Sequence, residues 1–320
     1  MVKKNGLFVM ILLVLIMVMT TGCFLDMGDI KTPVDVSADA GITKATTADE
    51  KTTITAEDES TMTEKMESAQ PSAEITIAET TLYEKDGVKV TVTGYECGWM
   101  GPEIKLLVEN DSDKNVLVTD RLVSVNGYMM SDASLYVEVA SGKKARESLM
   151  LMSSELQQAG IETVAELQFY IEVLDSDNWE TYDISELITL GTSAAGLEQP
   201  VDDTGDVLFD SKDIKVVCKG LKKDFIWDGT VVFYMENNSK QPVTVYAENV
   251  SVNGYMTDAS LWSDLRSQTR ITDGLSLLDL SDLELTSIDD IKNIEFSLRI
   301  VNYENWDEIA VSDVLTLNFE

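Results

Sequence analysis

Six residues, Ser124-Val-Asn-Gly-Tyr-Met129, occur a second time as Ser251 to Met256, and this recurrence constrains the chain more than any other feature. The likeness extends outward on both sides. Asp132-Ala-Ser-Leu135 returns as Asp258-Ala-Ser-Leu261, and Asn178-Trp179 returns as Asn305-Trp306. The two Asn-Gly pairs, at 126 and 253, are 127 residues apart. Solenoid and propeller units repeat every 20 to 50 residues or so, and a longer period describes two complete domains in tandem, each with its own core.

Each copy reads as a series of short strands. Val88-Lys-Val-Thr-Val92, Val116 to Val118, Leu135 to Val139 and Leu167 to Val173 alternate apolar and polar residues. The second copy repeats the plan at Ile214 to Cys218, Val231 to Glu236, Val243 to Tyr246, Leu261 to Leu265, Leu275 to Leu278, Ile294 to Val301 and Val314 to Phe319. Period two with β-branched and aromatic residues argues strands that bury one face. Turn residues separate them at Asn110-Asp-Ser-Asp113, Asn126-Gly127, Ser141-Gly142 and Asp175 to Asn178. About seven such strands in each half predict an all-β fold of two antiparallel sandwiches. Ser154 with Gln157, and Ser281 with Glu284, have the spacing of a capping box, which predicts one short helix in each domain, with Gly160 at the exit of the first. Asn126-Gly127 and Asn253-Gly254 predict tight hairpins in which both residues take positive φ. The boundaries expected are 81–193 for the first domain, 194–205 for a hinge containing Pro200, and 206–320 for the second domain. Relative motion of two independent domains is the default for such a hinge.

The N-terminus has a different character. Lys3 and Lys4 precede an apolar run from Leu7 to Met19, then Gly22-Cys23, which is the layout of a secretory leader over 1–22. Thirteen residues at about 1.5 Å each span roughly 20 Å, short of the ~30 Å of bilayer hydrocarbon, so a cleaved leader fits better than a membrane span. The Gly22-Cys23 step resembles a bacterial lipobox, with Thr20 in a place usually held by leucine. It makes Cys23 the expected lipidation site and the membrane a partner through that lipid. From Leu25 to Leu82 the text is Thr, Ala, Ser and charged residues without one aromatic, so 23–80 is expected to be a disordered tether.

The order of strand, N-x-S turn (Asn110 to Ser112), V-x-V-N-G-Y (Val123 to Tyr128), A-S-L (Ala133 to Leu135), short helix, F-x-I-x-V (Phe169 to Val173) and N-W (Asn178-Trp179) resembles a known family. It is similar to the telokin-like immunoglobulin-fold domains repeated in exported lipoproteins of Gram-positive bacteria, over Leu82 to Thr192 and Leu208 to Phe319. The resemblance implies immunoglobulin-like sandwiches outside the cell, lipid-anchored at the outer face of the membrane, and brings no catalytic residues with it.

Little in the chain supports catalysis. It has no histidine, which removes Ser-His and Cys-His nucleophile pairs and imidazole metal sites. No glycine-rich phosphate cradle follows a strand into a helix. With 57 acidic residues a carboxylate pair at some workable distance arises by chance, so acidic pairs identify nothing. An enzyme is not expected, nor a cofactor or a metal. Asp175, Asp177 and Asn178 begin a calcium-loop spacing but lack its glycine and distal glutamate, and read as a solvated turn. A net charge of −33 argues against nucleic acid, which needs a basic footprint. Cys97 and Cys218 fall at unrelated positions of the two copies and read as small, at least half-buried residues. Tyr128 and Tyr255 are expected in the core with their hydroxyls on backbone partners. Trp179 and Trp306 are expected to cap the core, and a contact surface is the alternative reading for all four. The function expected is noncatalytic: a surface module presenting paired domains to an extracellular protein or glycan, with a passive spacer or accessory subunit of an envelope assembly as the alternative and a carboxylate hydrolase a distant third.

Overall fold

A computed structural model describes residues 30–38, 75–223, 229–277 and 280–319. Cys23 and the leader lie outside the described residues. The N-terminal segment contributes β1 (Asp35–Ala38). The first domain contains β2 (Thr80–Lys85), β3 (Val88–Cys97), β4 (Pro102–Asn110), β5 (Val116–Val125), β6 (Tyr128–Met129), β7 (Tyr136–Val139), β8 (Lys143–Met150), α1 (Ser153–Gln158), β9 (Glu166–Asp175), β10 (Thr181–Ile184) and β11 (Ile188–Gly191). The second contains β12 (Asp206–Ser211), β13 (Ile214–Lys222), β14 (Gly229–Asn237), β15 (Val243–Val252), β16 (Tyr255–Met256), β17 (Trp262–Leu265), β18 (Thr269–Leu277), β19 (Asn293–Asn302), β20 (Glu308–Val311) and β21 (Leu315–Asn318).

Both domains are antiparallel sandwiches, as the alternation predicts. In the first, a sheet ordered β2-β3-β4-β8 faces a second built on the β5–β9 pair. Val90, Ile104, Leu106 and Leu149 of one sheet meet Val118, Leu167, Phe169 and Ile171 of the other, and all eight are fully buried. The second domain repeats the arrangement with β12-β13-β14-β18 against β15 and β19. β4 and β8 were not apparent in the sequence. β8, Lys-Lys-Ala-Arg-Glu-Ser-Leu-Met, buries only Leu149 fully, because it is an edge strand with a charged outer face.

The repeated hairpin is built as expected. Asn126 and Gly127 have φ of 51° and 83°, and Asn253 and Gly254 have 50° and 82°. The asparagine does more than tolerate this backbone. Asn126 Oδ1 accepts from the amides of Ala165 and Glu166, and its Nδ2 donates to the Thr163 carbonyl, which fixes the turn to the start of β9. Asn253 makes the corresponding bonds to Lys292, Asn293 and Asp290. Asn110 and Asn237, at the N-x-S turns, are wholly buried and bracket their own turns in the same way.

Four expectations fail. The tether expected over 23–80 fails at its described parts, 30–38 and 75–80, while 23–29 and 39–74 lie outside the described residues: β1 pairs antiparallel with β21, Lys31 bridges Leu221, and Ile77 is buried in the first core. A short run such as Val34-Asp-Val-Ser needs no core of its own when a sheet edge offers it backbone partners. The capping box at Ser154 is absent, because α1 begins two residues earlier than that box requires, with Met152 at its N-cap and no side-chain cap. In the second domain two 3-10 turns, Leu280–Leu283 and Ile288–Asp290, replace the helix, and the capping box there is Ser287 with Asp290. Gly160 does close α1, at φ 67°, with Ile161 N donating to Leu156 O and Gly160 N to Gln157 O.

The fourth failure concerns the hinge, for the domains are packed together. β6 pairs in parallel with β18, so one ten-stranded sheet runs from β10 into β12. Met129 enters the second core, while Val217 and Tyr234 join the first. Arg266, 5% exposed, donates to Leu122 O at 3.2 Å, to Gln168 Oε1 at 3.1 Å and to Ser124 Oγ. Leu122 sits at φ 51°, a costly conformation for a bulky residue, and packs against the second core; the equivalent Asn249 takes φ 56° at no such cost.

Candidate functional site

Trp179 and Trp306 do not cap the cores. Their side chains are 60% and 54% exposed, and both residues sit in the left-handed region, at φ 64° and 63°. The turns before them impose this. Trp179 N donates to Asp175 O at 2.8 Å and Trp306 N to Asn302 O at 3.0 Å, while the side-chain oxygens of Asp175, Asn178, Asn302 and Asn305 accept nearby backbone amides. The acidic turn is therefore occupied with backbone bonds, and among the described residues no group of three or more metal-ligating side chains converges. A left-handed tryptophan costs on the order of 1 kcal/mol relative to glycine or asparagine, so two of them at equivalent exposed positions call for a role beyond packing.

Each tryptophan belongs to an aromatic cluster. In the second domain, Tyr246 on β15 lies directly opposite Trp262 on β17, their rings 5.4 Å apart and 24° from parallel. Trp306 completes the set, 5.4 Å from Trp262 at 46°. Trp262 is 51% exposed. The three rings form a shelf on the outer face of the β15–β19 sheet. In the first domain only Tyr136 and Trp179 meet, at 6.4 Å, and Thr119 stands opposite Tyr136 where the second domain has Tyr246. Trp262 and Tyr136 both follow the repeated Ala-Ser-Leu, a signal present in the sequence; Tyr246 has no aromatic counterpart and gave none.

Polar groups flank the shelf. Arg299, opposite Tyr246 on β19, is bound by Glu248 at 3.0 Å and Glu308 at 2.5 Å, which raises its pKa further. The first domain carries the pair with reversed polarity, Arg121 and Glu172 at 3.7 Å. Beneath Trp262, burial raises the pKa of Asp264, opposed by the Thr244 hydroxyl at 2.6 Å, by Trp262 and by Arg121. Alternating rings and hydrogen-bonding groups on one sheet face can hold a flat, amphipathic ligand by stacking and charge-assisted bonds.

The other expected residues separate. Tyr128 is 2% exposed and lies under Arg270 in the domain junction, with its hydroxyl 3.5 Å from the Pro200 carbonyl. Tyr255, its copy, is 58% exposed. Cys218 is buried, its pKa pushed up to about 12 by desolvation, whereas Cys97 is exposed, contrary to expectation, because it ends β3 beyond the covered part of the sheet. A shallow groove on the first domain is lined by Glu96, Glu103, Lys105 and Arg146, among others. Lys105 bridges Glu96 at 3.2 Å and also pairs with Glu103, holding the Glu103 carboxyl below its usual range, the opposite of a general acid.

No protein-family model and no curated protein sequence matches the chain. Among solved structures it is similar to a transglutaminase of red sea bream, at 10% identity and a TM-score of 0.20, covering 74% of this chain and 32% of that one. It is also similar to the exo-chitosanase of Amycolatopsis orientalis, at 13% identity and a TM-score of 0.22, covering 73% of this chain and 26% of the enzyme. The chain thus spans about a third or less of either protein, and a likeness of this size carries no argument about what it does.

Proposed function

We propose that this protein is a noncatalytic extracellular module, held at the outer face of a membrane by lipid on Cys23, that binds glycans on the shelf of Tyr246, Trp262 and Trp306. The observation that carries this reading is Trp306 itself: an exposed tryptophan kept at an unfavourable backbone angle and packed at a 46° tilt against a second exposed tryptophan. Sugar rings present apolar C–H faces to aromatic planes and hydroxyls to flanking carboxylates and guanidinium groups, which here are Glu248, Glu308 and Arg299. A glycan array probed with the intact protein, followed by calorimetric titration of the best ligand, tests it. Trp262→Ala and Trp306→Ala should each weaken binding at least tenfold, about 1.4 kcal/mol, while the melting temperature stays within a degree or two because neither side chain is buried. Binding that both variants retain removes the shelf from the mechanism, and an array without ligands, beside capture of a single protein by the same shelf, replaces glycan with protein. Membrane fractionation of Cys23→Ala tests the anchor, and equal release of both forms overturns it.

A further inference from the structure

The junction between the two domains is heterologous: the hairpin of the first seats on an edge strand of the second. The sequence repeat means that a second copy of each half of that contact exists, without a strand seated on it among the described residues. Tyr128 and Met129 are 2% and 3% exposed in the junction, whereas Tyr255 and Met256, in the identical Ser-Val-Asn-Gly-Tyr-Met stretch, are 58% and 66% exposed. The strand that receives the hairpin is β18, where Arg270 N donates to Gly127 O at 3.1 Å. Its counterpart in the first domain is β8, with Lys144 in the place of Arg270, as the pairings of Thr269 with Asn237 and of Lys143 with Asn110 establish. Further along, both strands are bridged alike on the outer side, Ser276 by Ser260 and Met150 by Ser134. At Lys144 no strand among the described residues takes that outer side.

We propose that copies of this chain associate head to tail, the Asn253–Met256 hairpin of one molecule seating on the β8 edge of the next as the Asn126–Met129 hairpin seats on β18 within the chain. The charges at the two free ends match. β8 opens Lys143-Lys144-Ala145-Arg146 with all three cations exposed, Lys144 already paired with Glu109 of β4, in a chain of net charge −33. Around the free hairpin stand Glu248 and Glu295, at the positions that Arg121 and Gln168 occupy beside the used one. The intermolecular contact is the weaker of the two. Arg266, which locks the internal junction, corresponds to Ala140 in the first domain, so the free edge lacks its three bonds. A contact of this kind continues from molecule to molecule and does not close at two.

Sedimentation velocity on the chain from residue 23 onward, carrying Cys23→Ser, tests this and leaves every described residue in place. The average mass should rise beyond the dimer between about 1 µM and 1 mM, and association should weaken several-fold when salt is raised from about 50 to 500 mM, since exposed charges steer it. Met256→Asp, on the hairpin, and Lys144→Glu, on the edge, should each abolish association; the exposed Met256 leaves the melting temperature unmoved, and Lys144→Glu lowers it by no more than a degree or two, because the ion pair with Glu109 that it breaks is at the surface. A mixture of the two variants retains one good hairpin and one good edge, and should stop at a dimer. A monomer throughout the range, association that neither variant weakens, or a mixture that stays monomeric would each overturn the proposal.

Discussion

Arg266→Ala should uncouple the two domains without unfolding either. The guanidinium is 5% exposed, and its three acceptors, Leu122 O, Gln168 Oε1 and Ser124 Oγ, all belong to the first domain and are all uncharged. Bonds from a charged donor contribute about 1.5 kcal/mol each, giving a gross loss of roughly 4 to 5 kcal/mol. Against this stands the cost of burying a cation with no carboxylate bonded to it, which the substitution relieves and which runs to several kcal/mol. The depressed pKa of Arg266, due chiefly to burial, has the same origin. A net loss of about 2 to 3 kcal/mol follows, appearing as weaker coupling because each sandwich keeps its own core. Arg266→Met, which retains the stem but leaves no charge to desolvate, should lose only about half as much. Differential scanning calorimetry should show one coupled endotherm for the wild type and two separated ones for Arg266→Ala, and small-angle scattering should report a larger radius of gyration. An endotherm within about 1 °C of the wild type, with an unchanged radius, would refute this account of the junction.

Three further expectations follow from the same geometry. Gly127→Val should cost about 1 to 3 kcal/mol through its φ of 83° alone, since its Cβ would meet nothing nearer than Arg270 Nη2 at 3.9 Å; because Gly127 O accepts from Arg270, both domains should respond, whereas Gly254→Val should affect only the second. Calorimetry on the two variants distinguishes these cases. Tyr234→Phe should be neutral or stabilise by up to about 1 kcal/mol in urea unfolding, because the buried hydroxyl has no bonding partner among the described residues. Glu155, at the junction beside Asp132 and Asp273, has its carboxyl raised to about 7, mainly by burial, with amides of Ser131 and Asp132 opposing. Its folded pKa lies above its unfolded value, so its contribution is present below about pH 4.5 and lost as the pH rises through 7. Relative to Glu155→Gln, the wild type should lose on the order of 1 to 3 kcal/mol across that window, and parallel pH profiles would contradict it.

The sequence by itself determined the tandem architecture and the sandwich class, because apolar alternation and turn residues act locally. Val123-Ser-Val125 ahead of Asn126-Gly127 is enough to fix a hairpin and the face its strand buries, and the same words at 250–254 fix it again. The strand β8 was hidden for a local reason too: on an edge with one face in water, its residues carry no period to read. What each copy of a motif does was settled only by tertiary structure. Tyr128 is buried and Tyr255 exposed although their flanking residues are identical, because burial depends on whether another surface arrives, and among the described residues β18 arrives at the first hairpin alone. The fate of Arg266 depends on Leu122 and Gln168, more than ninety residues away, and Trp306 joins its shelf through Trp262 across two strands. β1 shows the limit most plainly. A segment with no capacity to build a core becomes a strand when β21 presents an open edge, and that edge exists only once the second sandwich has folded.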